Sequence, residues 1–231
     1  MPQLIAMIIV VVGAMIYMFQ TFGGTGDKIE GVAQKNSVIT EINNIKQGLK
    51  TAARQNMISG ATANASYPDA VKTLEGLARI GLFAQQINEQ ILERSSAGDV
   101  VNVYNAISFG GNGNTGDGLN NAIGDTNKSA QKIAVVALAG HIPGIYVNLQ
   151  DGSLSTNASF LESSIAVDLK AIATIDRLAT LPVAAGASTA ATTDTETEKR
   201  TPALTASGGT NSDGKFIIYF KDFGSDELVN N

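Results

Sequence analysis

Residues 4–19, LIAMIIVVVGAMIYMF, carry no charge and no strongly polar side chain. The first side chain charged at neutral pH is Asp27, and no later segment matches this run in sustained hydrophobicity. As a helix, residues 2–22 would extend about 30 Å, the thickness of a bilayer's hydrocarbon core. Tyr17, Phe19 and Phe22 fall near one end, where aromatic rings favour an interface. Gly23, Gly24 and Gly26 then lower helix propensity and mark a joint. A chain that starts this way must place the run in lipid or against other apolar surface.

Three readings of the run stay open. A cleavable secretory signal needs a basic start and a small-residue cleavage site; Met1-Pro2-Gln3 has no Lys or Arg, and no A-x-A lies close after the run. An ordinary anchor oriented by flanking charge has Lys28 and Lys35 after it, which places the bulk of the chain in the cytoplasm. In the third, a short basic leader has been cut off before Met1 and the mature chain keeps its apolar helix.

A second helical pattern runs over residues 28–57. Val38, Ile42, Ile45, Leu49 and Ala52 recur at spacings of four, three, four and three, a single seam with a heptad period. Lys35, Glu41, Asn44, Lys46, Gln47 and Lys50 lie largely off it. The seam predicts a helix facing a core. Proline is absent from residue 3 to residue 67, so both patterns fit one rod with a flexible joint.

This order of apolar helix, glycine break and amphipathic helix resembles the first helix of type IV pilins, over residues 1–57. The resemblance implies that a peptidase removes a leader and that the exposed apolar helix sits in the inner membrane before assembly. Pilus assembly machinery then extracts it to pack with its copies in an extracellular filament. Leu4, Ile5, Ile8, Ile9, Val12, Ile16 and Phe19 would form the filament core, and Gly23, Gly24 and Gly26 the joint where the helix melts. Val38, Ile42, Ile45 and Leu49 would join the helix to the head. One departure stands out: the family usually has Glu at the fifth mature position, and this chain has Ile5. Pro2 is also atypical. Either register rests on apolar packing alone, or the likeness is to a divergent or minor member. Tyr67-Pro68, leading into further helix, is similar to the larger type IVb pilins.

The rest of the chain, 58–231, reads as a globular head. Tyr67-Pro68-Asp69 opens a helix with Val71, Leu74, Leu77, Ala78 and Leu82 apolar, and a short helix follows over 85–94. Residues 101–109 alternate as a strand. Residues 110–129 form a Gly/Asn/Asp loop in which only Asp117 and Asp125 are acidic, matching neither a calcium loop nor a phosphate loop. Residues 132–138 read as a buried strand and 145–149 as another. Residues 160–178 read as a helix, through Leu161, Ile165, Leu169, Ile172, Ile175 and Leu178, with Thr156 or Asn157 as its cap. Residues 183–214 are rich in Ala, Thr, Ser and Gly and predict exposed chain. Lys215–Phe223 is the strongest strand near the C-terminus.

Composition bounds the function. The 231 residues carry a net charge of -5, so the footprint of a nucleic-acid binder is missing. There is no cysteine, which removes disulfides, thiolate metal sites and thiol nucleophiles together. The single histidine, His141, lies beside a Gly-Pro turn with no acids near it in sequence, and no G-x-S-x-G occurs. No enzyme, cofactor or metal is expected. Asn64, Asn127 and Asn157 head N-glycosylation triplets. Asp125, two residues before Asn127, makes that one similar to the extended acceptor of some bacterial systems. The expectation is an α+β subunit: a long N-terminal helix on a head with an antiparallel sheet and additional helices. Its partners would be its own copies, and its role attachment, motility or aggregation. The alternatives are a minor pilin or secretion pseudopilin, and an unrelated single-span protein with an external binding domain.

Overall fold

The computed structural model describes residues 30–59, 73–95, 103–104, 132–150, 152–183, 204–205 and 208–230. The apolar run 4–19, the glycine joint 23–26, the Tyr67-Pro68 pair, the 110–129 loop and Asn127 lie outside these residues.

Helix α1 is described over residues 30–54. Val38, Ile42, Ile45, Leu49 and Ala52 are each fully buried, so the seam faces the core along the described helix. Its end has a local cause. Asn56 adopts a left-handed conformation (φ 56), and its N–H donates to the Ala53 carbonyl while Met57 N–H donates to Ala52. These bonds satisfy carbonyls the last turn would otherwise leave open, and Asn tolerates positive φ better than most residues.

Two short helices follow, α2 (Leu74–Arg79) and α3 (Gln85–Ser95). Thr73 caps α2 by accepting from Gly76 N–H at 3.1 Å. Leu74, Leu77, Ile87 and Ile91 are buried. The turn between the helices lies against α1: a Cβ on Gly48 would stand 2.3 Å from a Phe83 ring carbon and 2.6 Å from the Leu82 carbonyl oxygen.

The fold is α+β, with an antiparallel sheet in the order β1-β2-β3-β5-β4. Its strands are β1 (Val103–Tyr104), β2 (Lys132–Val136), β3 (Gly144–Asn148), β4 (Ala173–Asp176) and β5 (Lys215–Phe220). The C-terminal strand is thus inserted between β3 and β4. Registers Ile145↔Ile218 and Ile175↔Ile218 put these side chains on one face with Phe216 and Phe220. Lys46 Nζ of α1 lies 4.3 Å from the Phe220 ring centroid, so this is the face that α1 covers. The opposite face carries Tyr146, Ile217, Tyr219 and Asp176. The chain around Leu178, Thr180 and Thr205 covers it: Tyr146 Oη donates to the Thr180 carbonyl at 2.9 Å, and Asp176 accepts from both N–H and Oγ1 of Thr205. Both faces being covered explains why β3 and β5 read as nearly continuous apolar runs.

A 3₁₀ turn (Gly152–Asn157) leads into α4 (Ala158–Leu169). Three expectations need correction here. The helix expected over 160–178 stops at Leu169, and Ala173–Asp176 becomes β4, because the open edge of β5 offers a ladder that outweighs local propensity. Asn157 sits at the N-cap position but makes no capping bond; its amide nitrogen donates to Gln34 of α1 at 2.9 Å. The end of the 183–214 stretch is tied in rather than exposed throughout. Gly209 N–H donates to Leu178, and Gly214 is buried with a φ of 76, a conformation that glycine adopts without strain.

Candidate assembly surface

The two lengths of α1 make different contacts. Toward its C-terminal end, Lys46, Lys50 and Arg54 rise on one side of the helix at intervals of four. The chain after β5 returns along this side as a strap, residues 221–230. Asp222 Oδ2 accepts from Lys46 at 2.9 Å and from Lys50 at 3.2 Å, and Lys50 also donates to the Asp222 carbonyl at 2.8 Å. Glu227, buried, accepts from Arg54 Nε at 2.5 Å and from Gly224 N–H. Lys50 Nζ stands 5.8 Å from the Phe223 ring centroid. Farther along, Asn230 N–H donates to the Ile58 carbonyl, Gly140 N–H donates to the Val229 carbonyl, and Val229 N–H donates to the His141 carbonyl. Burial pushes the Asp222 carboxyl up, but the Lys46 and Lys50 hydrogen bonds and charges together outweigh it and hold it below the usual aspartate value.

Toward residue 30, α1 meets α4. The Phe160 ring lies over Gly31, where an added Cβ would stand 3.0 Å from it. Lys35 pairs with Asp168 at 2.6 Å. The other acid of α4, Glu162, is fully buried. It accepts from Arg177 Nε at 2.6 Å and from Gly214 N–H at 2.7 Å, while Arg177 also donates to Ser163 Oγ and to the Asn211 carbonyl. Burial raises the Glu162 carboxyl above its ordinary value, against the Arg177 and Gly214 bonds that lower it.

These pairings use both charges that the 12 residues of α4 possess. What α4 leaves outward is Ser159, Phe160, Val167 and Asp168, whose side chain is 43% exposed beside Lys35, with Ser164 half-covered between them. Phe160 is 51% exposed, Val167 73% and Val32 of α1 48%. Phe160 and Val167 are seven residues apart and so share a face. An exposed helix ordinarily turns charged side chains to water. This one presents large apolar and small hydroxyl residues with a single carboxylate, Asp168, which is paired with Lys35.

Of the residues singled out from sequence, Val38, Ile42, Ile45 and Leu49 lie together in the core. The others, Leu4 through Phe19, the three glycines and Asn127, lie outside the described residues. The sequence pattern does not mark Phe160 and Val167 as exposed. The available signal was the poverty of charge in 158–169. His141 is buried, with Nδ1 3.1 Å from the Ala139 carbonyl. Among the described residues no group of three or more His, Cys, Asp or Glu is placed to hold a metal ion, and no helix is long and apolar enough to cross a membrane. Comparison with protein-family models, curated proteins and solved structures finds no match for the chain.

Proposed function

We propose that this chain is a structural subunit that self-assembles through its N-terminal apolar segment into an extracellular filament of the type IV pilus kind, serving attachment, motility or aggregation. The observation that carries this reading is the way α1 is fixed. Val38, Ile42, Ile45 and Leu49 are fully buried in the head, and three cations of the same helix are held by the strap. The sequence N-terminal to this anchored helix is the uncharged run 4–19. A head gripping one part of a helix, with an apolar run on the other side of a glycine joint, suits a subunit whose run lies first in the inner membrane and then among its copies.

The energetics favour such an exchange. An apolar helix leaving lipid must be covered again, and a bundle of like helices does so. At about 25 cal/mol per Å² of apolar surface, each helix supplies tens of kcal/mol gross, before the entropy cost of association. Assembly needs no cofactor and no catalytic group.

Sheared surface material examined by electron microscopy and mass spectrometry tests the proposal. Shed filaments containing this chain are expected. A chain that remains with membranes and never enters shed filaments overturns the reading and favours a single-span anchored protein. A chain found only in trace amounts within filaments made of another subunit favours the minor-pilin alternative, toward which Ile5 already points. Val12→Asp or Ile16→Asp should abolish filament yield while the head stays folded by circular dichroism; normal yield would rule out the core-helix role.

A further inference from the structure

The strap fastens α1 from outside the sheet. Lys221 still belongs to the sheet end, its N–H donating to the Ile172 carbonyl. Beyond it, among the described residues, 222–230 join no strand, and their one bridge is Ser59 with Asn230. Apart from tight turns at Phe223 and Glu227, their main-chain bonds reach two short segments. Asn230 N–H donates to the Ile58 carbonyl, and the Asn230 side-chain amide to the Asn56 carbonyl at 2.6 Å. Val229 accepts from Gly140 N–H and donates to the His141 carbonyl. Side chains make the rest of the grip: Asp222 and Glu227 hold three cations of α1, and Phe223 and Val229 are buried. Asp222, Ser225 and Asp226 are exposed.

We infer that residues 222–230 are a clasp: with segments 56–59 and 139–141 they open and close as one unit while the sheet stays paired. Two observations carry this. The first is coupling within the unit. Val229 is bonded to Gly140 and His141, and its neighbour Asn230 to Ile58 and Asn56, so neither segment parts from the strap without disturbing the other. The second is independence from the sheet. Strands β3 and β5 each have a ladder on both sides without any help from 222–230. The strap's ion pairs have half-exposed members, Asp222 at 48% and Arg54 at 64% of side-chain surface, so water takes them over when the clasp parts. Burial of Phe223 and Val229 keeps it closed at rest. Short irregular chain with few main-chain bonds is where local opening precedes global unfolding. Opening frees the Lys46, Lys50 and Arg54 side of α1, while the seam from Val38 to Leu49 keeps its place on the core.

Native-state hydrogen exchange on the full-length chain in detergent micelles, at stepped urea below the unfolding midpoint, tests this. The probes are the amides of Gly140, Val229 and Asn230, compared with the slowest amides of β3 and β5. The three clasp amides should share one protection factor, about tenfold or more below that of the strands, with a shallower urea dependence. Two variants separate local opening from unfolding of the whole head. Val229→Ala lies inside the unit and weakens the closed state against every open one, so it should speed clasp and strand amides alike, by about tenfold. Ile165→Val lies outside it, on α4, which pairs with α1 at Lys35, about 22 Å along the helix from Lys50. It should speed the strand amides severalfold and leave the clasp amides as they were. Where that change is too mild to move the strands, Leu161→Ala, also buried on α4, replaces it. Clasp amides that speed up with the α4 variant open only with the whole head, and overturn the proposal. Three different protection factors, or clasp exchange as slow as that of the strands, overturn it as well.

Discussion

Near residue 50, α1 presents three cations to Asp222 and Glu227, which arrive from about 170 residues farther along the chain. Near residue 31 it packs Gly31 against Phe160 of a helix whose one outward charge, Asp168, is paired with Lys35. The first region is closed: the cations find carboxylates, the Phe220 and Phe223 rings sit beneath ammonium groups, and the strap runs along the cation side of the helix. The second is open: its charges are paired, its apolar side chains are not covered. The difference teaches that exposed apolar surface is informative when its neighbours have spent their charges inward. A single exposed Leu on a charged helix would carry no such meaning.

The sharpest way to break the comparison is to truncate one apolar side chain in each region. Leu49 is fully buried at the closed end, and Leu49→Ala should cost about 2–5 kcal/mol, read as a lower urea midpoint. Val167→Ala at the open end should change stability by less than about 0.5 kcal/mol. A comparable loss from Val167→Ala would mean that the outer face of α4 is already covered within the monomer.

How far the sequence reveals this arrangement depends on the range of the contacts. The seam Val38–Leu49 was legible because its heptad spacing is a local property. Strand β5 was legible because KFIIYF has no competing turn residue, and β2 for the same reason. Strand β4 was not, because Ile172, Ile175 and Leu178 continue the helical spacing of α4; only the free edge of β5 decides the matter. The end of α1 fell at residue 54 rather than 57 because the left-handed Asn56 terminates it, and one Asn among many gives no warning. The strap was invisible because pairing Lys46 with Asp222 or Arg54 with Glu227 needs the whole sheet in place first. The outer face of α4 was half legible: the sparse charge of 158–169 is plain, but that Glu162 is buried on Arg177 and Asp168 pairs with Lys35 is a tertiary fact.

A smaller effect tests whether the closed end is electrostatic or merely packed. Glu227 is buried, while the Arg54 it receives is mostly exposed. Glu227→Gln keeps the side chain's volume and removes its charge. The expected loss is about 1.5 kcal/mol at neutral pH, with a weaker salt dependence than the parent. Val167→Thr, a comparable change of polarity at the open end, should leave the salt dependence as it was. If Glu227→Gln is neutral, the strap is held by Phe223 and Val229 packing rather than by charge.

The smallest expected effect separates two carboxylates by sign. The folded-state value of Asp222 lies below the unfolded one, so its contribution is present above about pH 4 and is lost as pH falls through the folded value. Glu162 shifts the other way: the folded chain binds its proton more readily than the unfolded chain does. Its contribution is therefore present below the unfolded value and is lost as pH rises through the folded one. Urea midpoints of variant and parent, compared from neutral pH down to about pH 3, should show this as opposite trends. Asp222→Asn should cost less than about 1 kcal/mol near neutrality, because the side chain is half exposed, and the deficit should vanish on acidification. Glu162→Gln should show a deficit that grows on acidification, as the parent gains the stability of the protonated acid. If Asp222→Asn tracks the parent at every pH, Lys46 and Lys50 hold the strap through the Asp222 carbonyl and the aromatic rings alone, and the closed end owes little to that carboxylate.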